Sequence, residues 1–142
     1  SFAPNGNVLA FVSDRAGYPN VYTVNTDGTE LKRISNRNMY NDNPVFSPDG
    51  TRLAYSVRSK EGIDIWIYDF KTETEYSLTA GIGYNENPSW APNGRWLVFA
   101  HKPSLYSAQR LLLFSADGSR NIVISDGEGD LSEPDWSGWS SQ

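Results

Sequence analysis

The chain has 142 residues, of which 38% are hydrophobic and 20% charged, with a formal net charge of −5 and no cysteine. Its 12 lysines and arginines are spread thinly, which argues against a nucleic-acid partner, and the missing thiols remove disulfide frameworks, thiolate zinc sites and cysteine nucleophiles. No stretch approaches the roughly 20 apolar residues of a membrane helix, so no membrane insertion is expected.

The chain opens on Ser1 and runs at once into Phe2-Ala3-Pro4-Asn5-Gly6, which returns as Phe46-Ser47-Pro48-Asp49-Gly50 and as Trp90-Ala91-Pro92-Asn93-Gly94, spaced 44 residues apart. Proline presets φ at the second turn position and Asn/Asp-Gly tolerates positive φ, so each copy predicts a tight hairpin with a fixed register. An apolar strand follows (8–12, 53–57 and 96–100), then a polar turn of variable length, then a second strand (21–24, 63–68 and 111–114). Another turn carries Asp27-Gly28, Lys71-Thr72 or Asp117-Gly118, and the unit closes with a strand at 31–35, 76–79 or 122–125. Pro44, Pro88 and Pro134 then mark the next inner strand, each two residues ahead of Phe46, Trp90 or Trp136.

Four short β-branched and aromatic runs per unit, separated by Gly/Asn/Asp/Pro turns, predict antiparallel strands; a period in the low forties predicts a propeller blade. The fold class is therefore all-β: a β-propeller of three four-stranded blades (about 1–43, 44–87 and 88–133), half of a six-bladed ring, with a closing strand at 134–137. A β-sandwich also strings short strands together, but it requires no identity at a fixed period. Ile65-Trp66-Ile67 and the Leu-Leu-Leu-Phe run at 111–114 are apolar on both faces, as a blade packed between two neighbours must be. Trp66, Trp90 and Trp136 are assigned to packing between blades. The first unit holds only Ser1-Phe2 of an inner strand, whereas 132–137 is a spare one. The expectation is that these ends meet by ring closure in a longer protein, or by exchange between two copies in a homodimer that completes six blades.

The run Phe/Trp-Ser/Ala-Pro-Asp/Asn-Gly, followed by Leu-Ala-Phe-Val-Ser-Asp-Arg at 9–15, Gly17 and Val21-Tyr22, resembles the repeat of TolB-type propellers, and the resemblance covers essentially the whole chain. It implies a six-bladed ring after an N-terminal α/β domain, a periplasmic location, and binding of the lipoprotein Pal at the propeller mouth within the Tol-Pal envelope system. Similar repeats occur in the propellers of prolyl-oligopeptidase-like peptidases and carbohydrate-processing proteins, where they would gate or select substrate. Gly-x-Ser-x-Gly is not present in the 142 residues, so no enzymatic activity is expected.

The candidate binding residues come from the repeat. Tyr40, Asp42 and Asn43, then Tyr84, Glu86 and Asn87, and finally Glu133 stand at the entrance to successive inner strands, which in a propeller line the central channel. Their carboxylates suit a calcium ion held by Asp42, Glu86 and Glu133, or a basic group from a protein partner; alternatively they only cap turns. No other cofactor is expected. The variable turns 15–20, 58–63 and 101–110 are expected to face the other way or outward, and they carry Tyr18, Arg58, Tyr106 and Arg110, residue types common at binding hot spots. The single histidine, His101, reads as a loop or strand-edge residue and not a catalytic base. Residues 126–130 (Asp-Gly-Glu-Gly-Asp) read as an acidic turn, because the sixth and twelfth positions of that stretch, Leu131 and Ser137, do not fit a calcium loop.

Overall fold

The computed structural model describes residues 1–37 and 39–124, and every regular element among them is a strand. Each Pro-Asn/Asp-Gly copy closes the predicted turn: the amides of Gly6, Gly50 and Gly94 donate to the carbonyls of Ala3, Ser47 and Ala91 at 2.8, 2.9 and 2.8 Å. The three glycines sit at φ of 74°, 72° and 68°, the left-handed region that a residue without a Cβ enters at no steric cost.

Three sheets follow in chain order. The first contains β1 (Val8–Ser13), β2 (Asn20–Asn25) and β3 (Lys32–Arg33), with a stub of inner strand where Phe2 bridges Leu9. The second contains β4 (Tyr40–Phe46), β5 (Arg52–Arg58), β6 (Ile63–Asp69) and β7 (Thr74–Ser77). The third repeats it as β8 (Tyr84–Trp90), β9 (Trp96–Lys102), β10 (Arg110–Ser115) and β11 (Asn121–Val123). All pairings within a sheet are antiparallel, and one parallel bridge, Ile63 to Tyr84, links the second sheet to the third. These are propeller blades. The segment at 134–137 lies outside the described residues.

The outermost strands end earlier than expected: β3 spans only Lys32–Arg33, and β7, at Thr74–Ser77, lies two residues before the expected 76–79. The cause is side-chain competition for the ladder. Ser35 Oγ and Thr79 Oγ1 accept from the amides of Val21 and Ile65 at 2.9 and 3.2 Å, so the chain peels away just where Ile34 and Leu78 bury themselves.

Side chains alternate across each strand, and the second blade uses both of its faces. Leu53, Tyr55, Val57 and Tyr68 join Ala10, Val21 and Ile34 of the first blade in one core. Ala54, Ile65, Ile67 and Leu78 join Trp90, Leu97, Phe99, Leu112, Phe114 and Ala116 of the third in another. Polar contacts tie the same interfaces: Trp90 Nε1 donates to Val45 O at 3.1 Å, Tyr76 Oη to Ala116 O at 2.6 Å, and Arg52 lies over the Trp90 ring while donating to Gly94 O at 2.8 Å. Trp66 packs under the Arg37 guanidinium, 3.8 Å from its ring centre. The hairpin turns also stack, with Pro4 Cδ 3.3 Å and Pro48 Cδ 3.8 Å from where a Cβ would stand on Gly50 and Gly94.

Phe99 is fully buried and packs against Phe114 at 5.2 Å between ring centres. Phe99→Ala is expected to cost about 3–5 kcal/mol in a urea melt, whereas Ile122→Ala, at a half-exposed outer strand, stays within about 0.5 kcal/mol. Similar losses for both would contradict a core held between the second and third blades.

Candidate functional site

The inner strands β4 and β8 enter the fold through the same Tyr-Asn-Asp/Glu-Asn-Pro run at a 44-residue spacing. Their first fixed points are two asparagines that sequence reasoning passed over. Asn41 and Asn85 are fully buried, and Asn85 Nδ2 donates to Ile63 O at 2.9 Å while Asn41 Nδ2 reaches Pro19 O and Asn20 Oδ1 at 3.3 and 3.2 Å. Each asparagine thus clips an inner strand to the blade before it. The signal was available: Asn recurs at 41 and 85 while the following residue changes from Asp42 to Glu86.

One residue further along, each strand bulges. The register slips between Asp42 and Val45 and again between Glu86 and Ser89, and the extra residues, Asn43 and Asn87, sit at φ of 52° and 57°. Asparagine tolerates that left-handed geometry better than most side chains. Asn43 Nδ2 donates to Asn87 Oδ1 at 2.8 Å, so the two equivalent residues form a rung from blade to blade.

Asp42 and Glu86 stand beside Arg58, which donates to Glu86 Oε1 at 2.9 Å and lies 5.6 Å from the Tyr40 ring centre. Burial raises the Asp42 carboxyl above its ordinary range, Arg58 pulls it back, and Glu86 adds to the rise. This mouth is therefore a mixed-charge cluster around a guanidinium. Among the described residues no group of three His, Asp or Glu side chains is placed to hold a metal ion, and Glu133, the third expected calcium ligand, lies outside them. The acidic stretch 126–130 lies outside them as well.

The strand register corrects the placing of the variable turns. Tyr40 pairs with Arg58 and Tyr84 with Lys102, while Asn41 N donates to Pro19 O at 2.9 Å. Turns 14–19, 59–62 and 103–109 consequently share one end of the blades with the inner-strand entrances, instead of facing the other way. The two groups of candidates are one face. It gathers Tyr18, Met39, Tyr40, Ile82, Leu105 and Tyr106, all exposed, and Tyr106 is 98% so. Arg110, at the start of β10, pairs with His101 at the same end.

Between the second and third blades this face opens into a cleft of about 360 Å³ lined by Arg58, Ser59, Lys60, Ile63, Tyr84, Glu86, Ala100, Lys102, Leu105 and Gln109. Two glycines allow its wall to form. A Cβ on Gly62 would stand 2.3 Å from Gly83 O, and Gly83, at φ 113°, would push one to 2.5 Å from Lys102 O.

His101 is a core residue and not a loop or edge one: it lies within β9 and is only 8% exposed. Asn85 Nδ2 is already donating, so its Oδ1 accepts, and His101 Nδ1 is the donor across 2.8 Å. Burial lowers the imidazole pKa, and Arg110 lowers it further. Val57 occupies the equivalent place one blade earlier, and there the corresponding oxygen, Asn41 Oδ1, is buried without a protein partner.

At the opposite end the turn carboxylates are committed. Asp49 Oδ1 takes hydrogen bonds from Ser47 Oγ, Thr51 N and Thr51 Oγ1, and Asp117 is held likewise by Ser115 and Ser119, which depress both carboxyls to about 2. These Asp, Ser and Thr side chains satisfy their own turns, beside a cavity of about 520 Å³ that Arg52, Arg95 and Arg120 help to line.

A family model described as the TolB beta propeller domain matches residues 1–140. The Tol-Pal system protein TolB of Desulfosudis oleivorans is 32% identical over 121 residues, 85% of this chain and 24% of its own length. The uncharacterized peptidase YuxL of Bacillus subtilis is 35% identical over 101 residues, 66% of this chain and 15% of its own. Among solved structures, TolB from Acinetobacter baumannii superposes with a TM-score of 0.79 at 27% identity, covering 95% of this chain and 33% of that one. The chain thus spans less than a third of each of these proteins.

Two substitutions test the site's energetics. Because the folded pKa of Asp42 lies above its unfolded value, stability is lost as pH rises through it. Asp42→Asn is therefore expected to raise the melting temperature at neutral pH and to leave it unchanged below the carboxylate range; a gain of equal size at both would refute this. His101→Val strands Asn85 Oδ1 and is expected to cost about 1–3 kcal/mol at neutral pH. In the native protein the depressed imidazole pKa makes stability fall as pH drops through the histidine range, and the variant's melting curves should lack that component.

Proposed function

The chain belongs to the TolB β-propeller domain family, and from that premise we propose that it is a non-catalytic, periplasmic protein-binding scaffold of the Tol-Pal type whose entrance face docks a Pal-like lipoprotein. One observation carries this reading: the division between the two ends of the blades. At one end the Asp, Ser and Thr side chains of the turns are consumed by their own hydrogen bonds, while the other collects exposed tyrosines, leucine, methionine and an arginine around a cleft. Aromatic and arginine side chains grouped on a rigid support are the makings of a binding hot spot. Among the described residues no helix is long and apolar enough to cross a membrane. Calcium at the mouth remains part of the reading only together with Glu133, and it would compete with Arg58 for Glu86.

The match to peptidase YuxL favours a second reading, in which the blades belong to a peptidase or a carbohydrate-processing protein and select its substrate. In that case the same face would be turned to the substrate. In either reading the exposed Ile122, Val123 and Ile124 support further blades packing on this edge, from the same protein or from a second copy. Light scattering tells a monomer from a two-copy ring.

The docking face is tested by calorimetry with the soluble domain of a Pal-like lipoprotein. Tyr40→Ala and Tyr106→Ala are expected to weaken binding by roughly tenfold or more each, and Lys71→Ala at the opposite end to leave it unchanged. No binding by the unmodified protein, or equal losses at both ends, would overturn the proposal.

A further inference from the structure

The cleft between the second and third blades carries charge of the wrong sign for its chain. The protein as a whole is at −5, yet Arg58, Lys60 and Lys102 line this cleft against one carboxylate, Glu86. Glu86 is already engaged by Arg58 at 2.9 Å. Lys60 and Lys102 have no hydrogen-bond or ion-pair partner among the described residues, and they flank the opening from two different blades. Beside them stand Ile63, Tyr84 and Leu105, the last 63% exposed, with the almost wholly exposed Tyr106 next in the turn.

We propose that this cleft is a carboxylate-binding subsite for an acidic peptide segment of a partner, with Lys60 and Lys102 holding a Glu or Asp side chain and Leu105 and Ile63 packing an aliphatic neighbour. The proposal rests on the docking reading and names the chemistry of the docked surface. Two lysines on flexible stems act as point charges that follow a mobile carboxylate, without the fixed bidentate geometry of a paired arginine. A low-dielectric wall on one side strengthens that attraction, and exposure on the other makes it salt-sensitive. An acidic sugar fits less well. Its hydroxyls need a dense set of partners, and with Arg58 and Glu86 paired to each other the cleft offers them chiefly Ser59 and Gln109, whereas Ile63, Tyr84, Ala100 and Leu105 offer four apolar or aromatic contacts to a peptide.

The test is calorimetric titration of the protein with an end-blocked peptide of alternating leucine and glutamate, its leucine-glutamine counterpart, and digalacturonate. The glutamate peptide is expected to bind about tenfold more tightly than the glutamine one, and the Lys60→Ala/Lys102→Ala variant to lose that preference. Raising ionic strength should narrow it too. Equal affinity for both peptides, an unchanged preference in the double variant, or digalacturonate binding as tightly as the glutamate peptide would overturn the proposal. Lys60→Arg/Lys102→Arg, which keeps the charge, is expected to keep most of the preference. The two readings fail separately. If the lipoprotein does not bind but the glutamate peptide does, the docking partner is wrong and the subsite stands; if the lipoprotein binds wild type and double alanine variant alike, the subsite is wrong and the docking face stands.

Discussion

The second blade of this protein leaves neither of its faces to water. The constraint is plain there, since alternate residues of a single strand, Leu53, Ala54 and Tyr55, go to different cores, one shared with the blade before and one with the blade after. Burial of apolar surface is the main favourable term in folding, and here most of it is earned between units and not within them. Strand composition, turn geometry and cross-blade hydrogen bonds all follow from having to press one twisted sheet against the next.

That demand also explains where chemistry is available. Inner strands must begin, bulge and pair at fixed heights for the sheets to stack, so Asn41, Asn85, Asn43 and Asn87 are committed to the scaffold. The hairpins at the opposite end stack proline on glycine and knot their Asp, Ser and Thr side chains into the turns. What stays free is the end where turn length does not affect stacking. There the protein carries Lys60 and Lys102, the cluster around Arg58 and its exposed tyrosines on a support whose position is already determined.

Much of the fold was legible because a repeat multiplies weak signals: one Pro-Asn-Gly is a turn, whereas three in register dictate an architecture. The site was less legible for a physical reason. Which end a turn occupies depends on counting strands through each hairpin, and the variable turns lie at the inner-strand entrance because one hairpin returns the chain to the end it left. His101 was misread as an edge residue because its burial depends on Asn85, a partner 16 residues away that only the pairing of β8 with β9 brings alongside. Asp42 and Glu86 are expected, with Glu133, as carboxylates ringing the channel, while the guanidinium beside the first two, Arg58, falls in a different loop group. The outer strands β3 and β7 ended early because Ser35 and Thr79, invisible to a hydrophobic pattern, take over the backbone's donors.

The rung from Asn43 to Asn87 joins residues that are copies of one another, and the stacked turns join copies of one turn, Pro4 meeting Gly50 and Pro48 meeting Gly94. A repeated segment therefore touches its own counterpart one period away. Duplicating a unit in such a chain delivers a module already complementary to its parent, so the architecture can lengthen by copying without inventing a new contact. The reverse also holds: once copied, two units cannot drift apart freely at those positions, because a change in one is a change in the surroundings of the other.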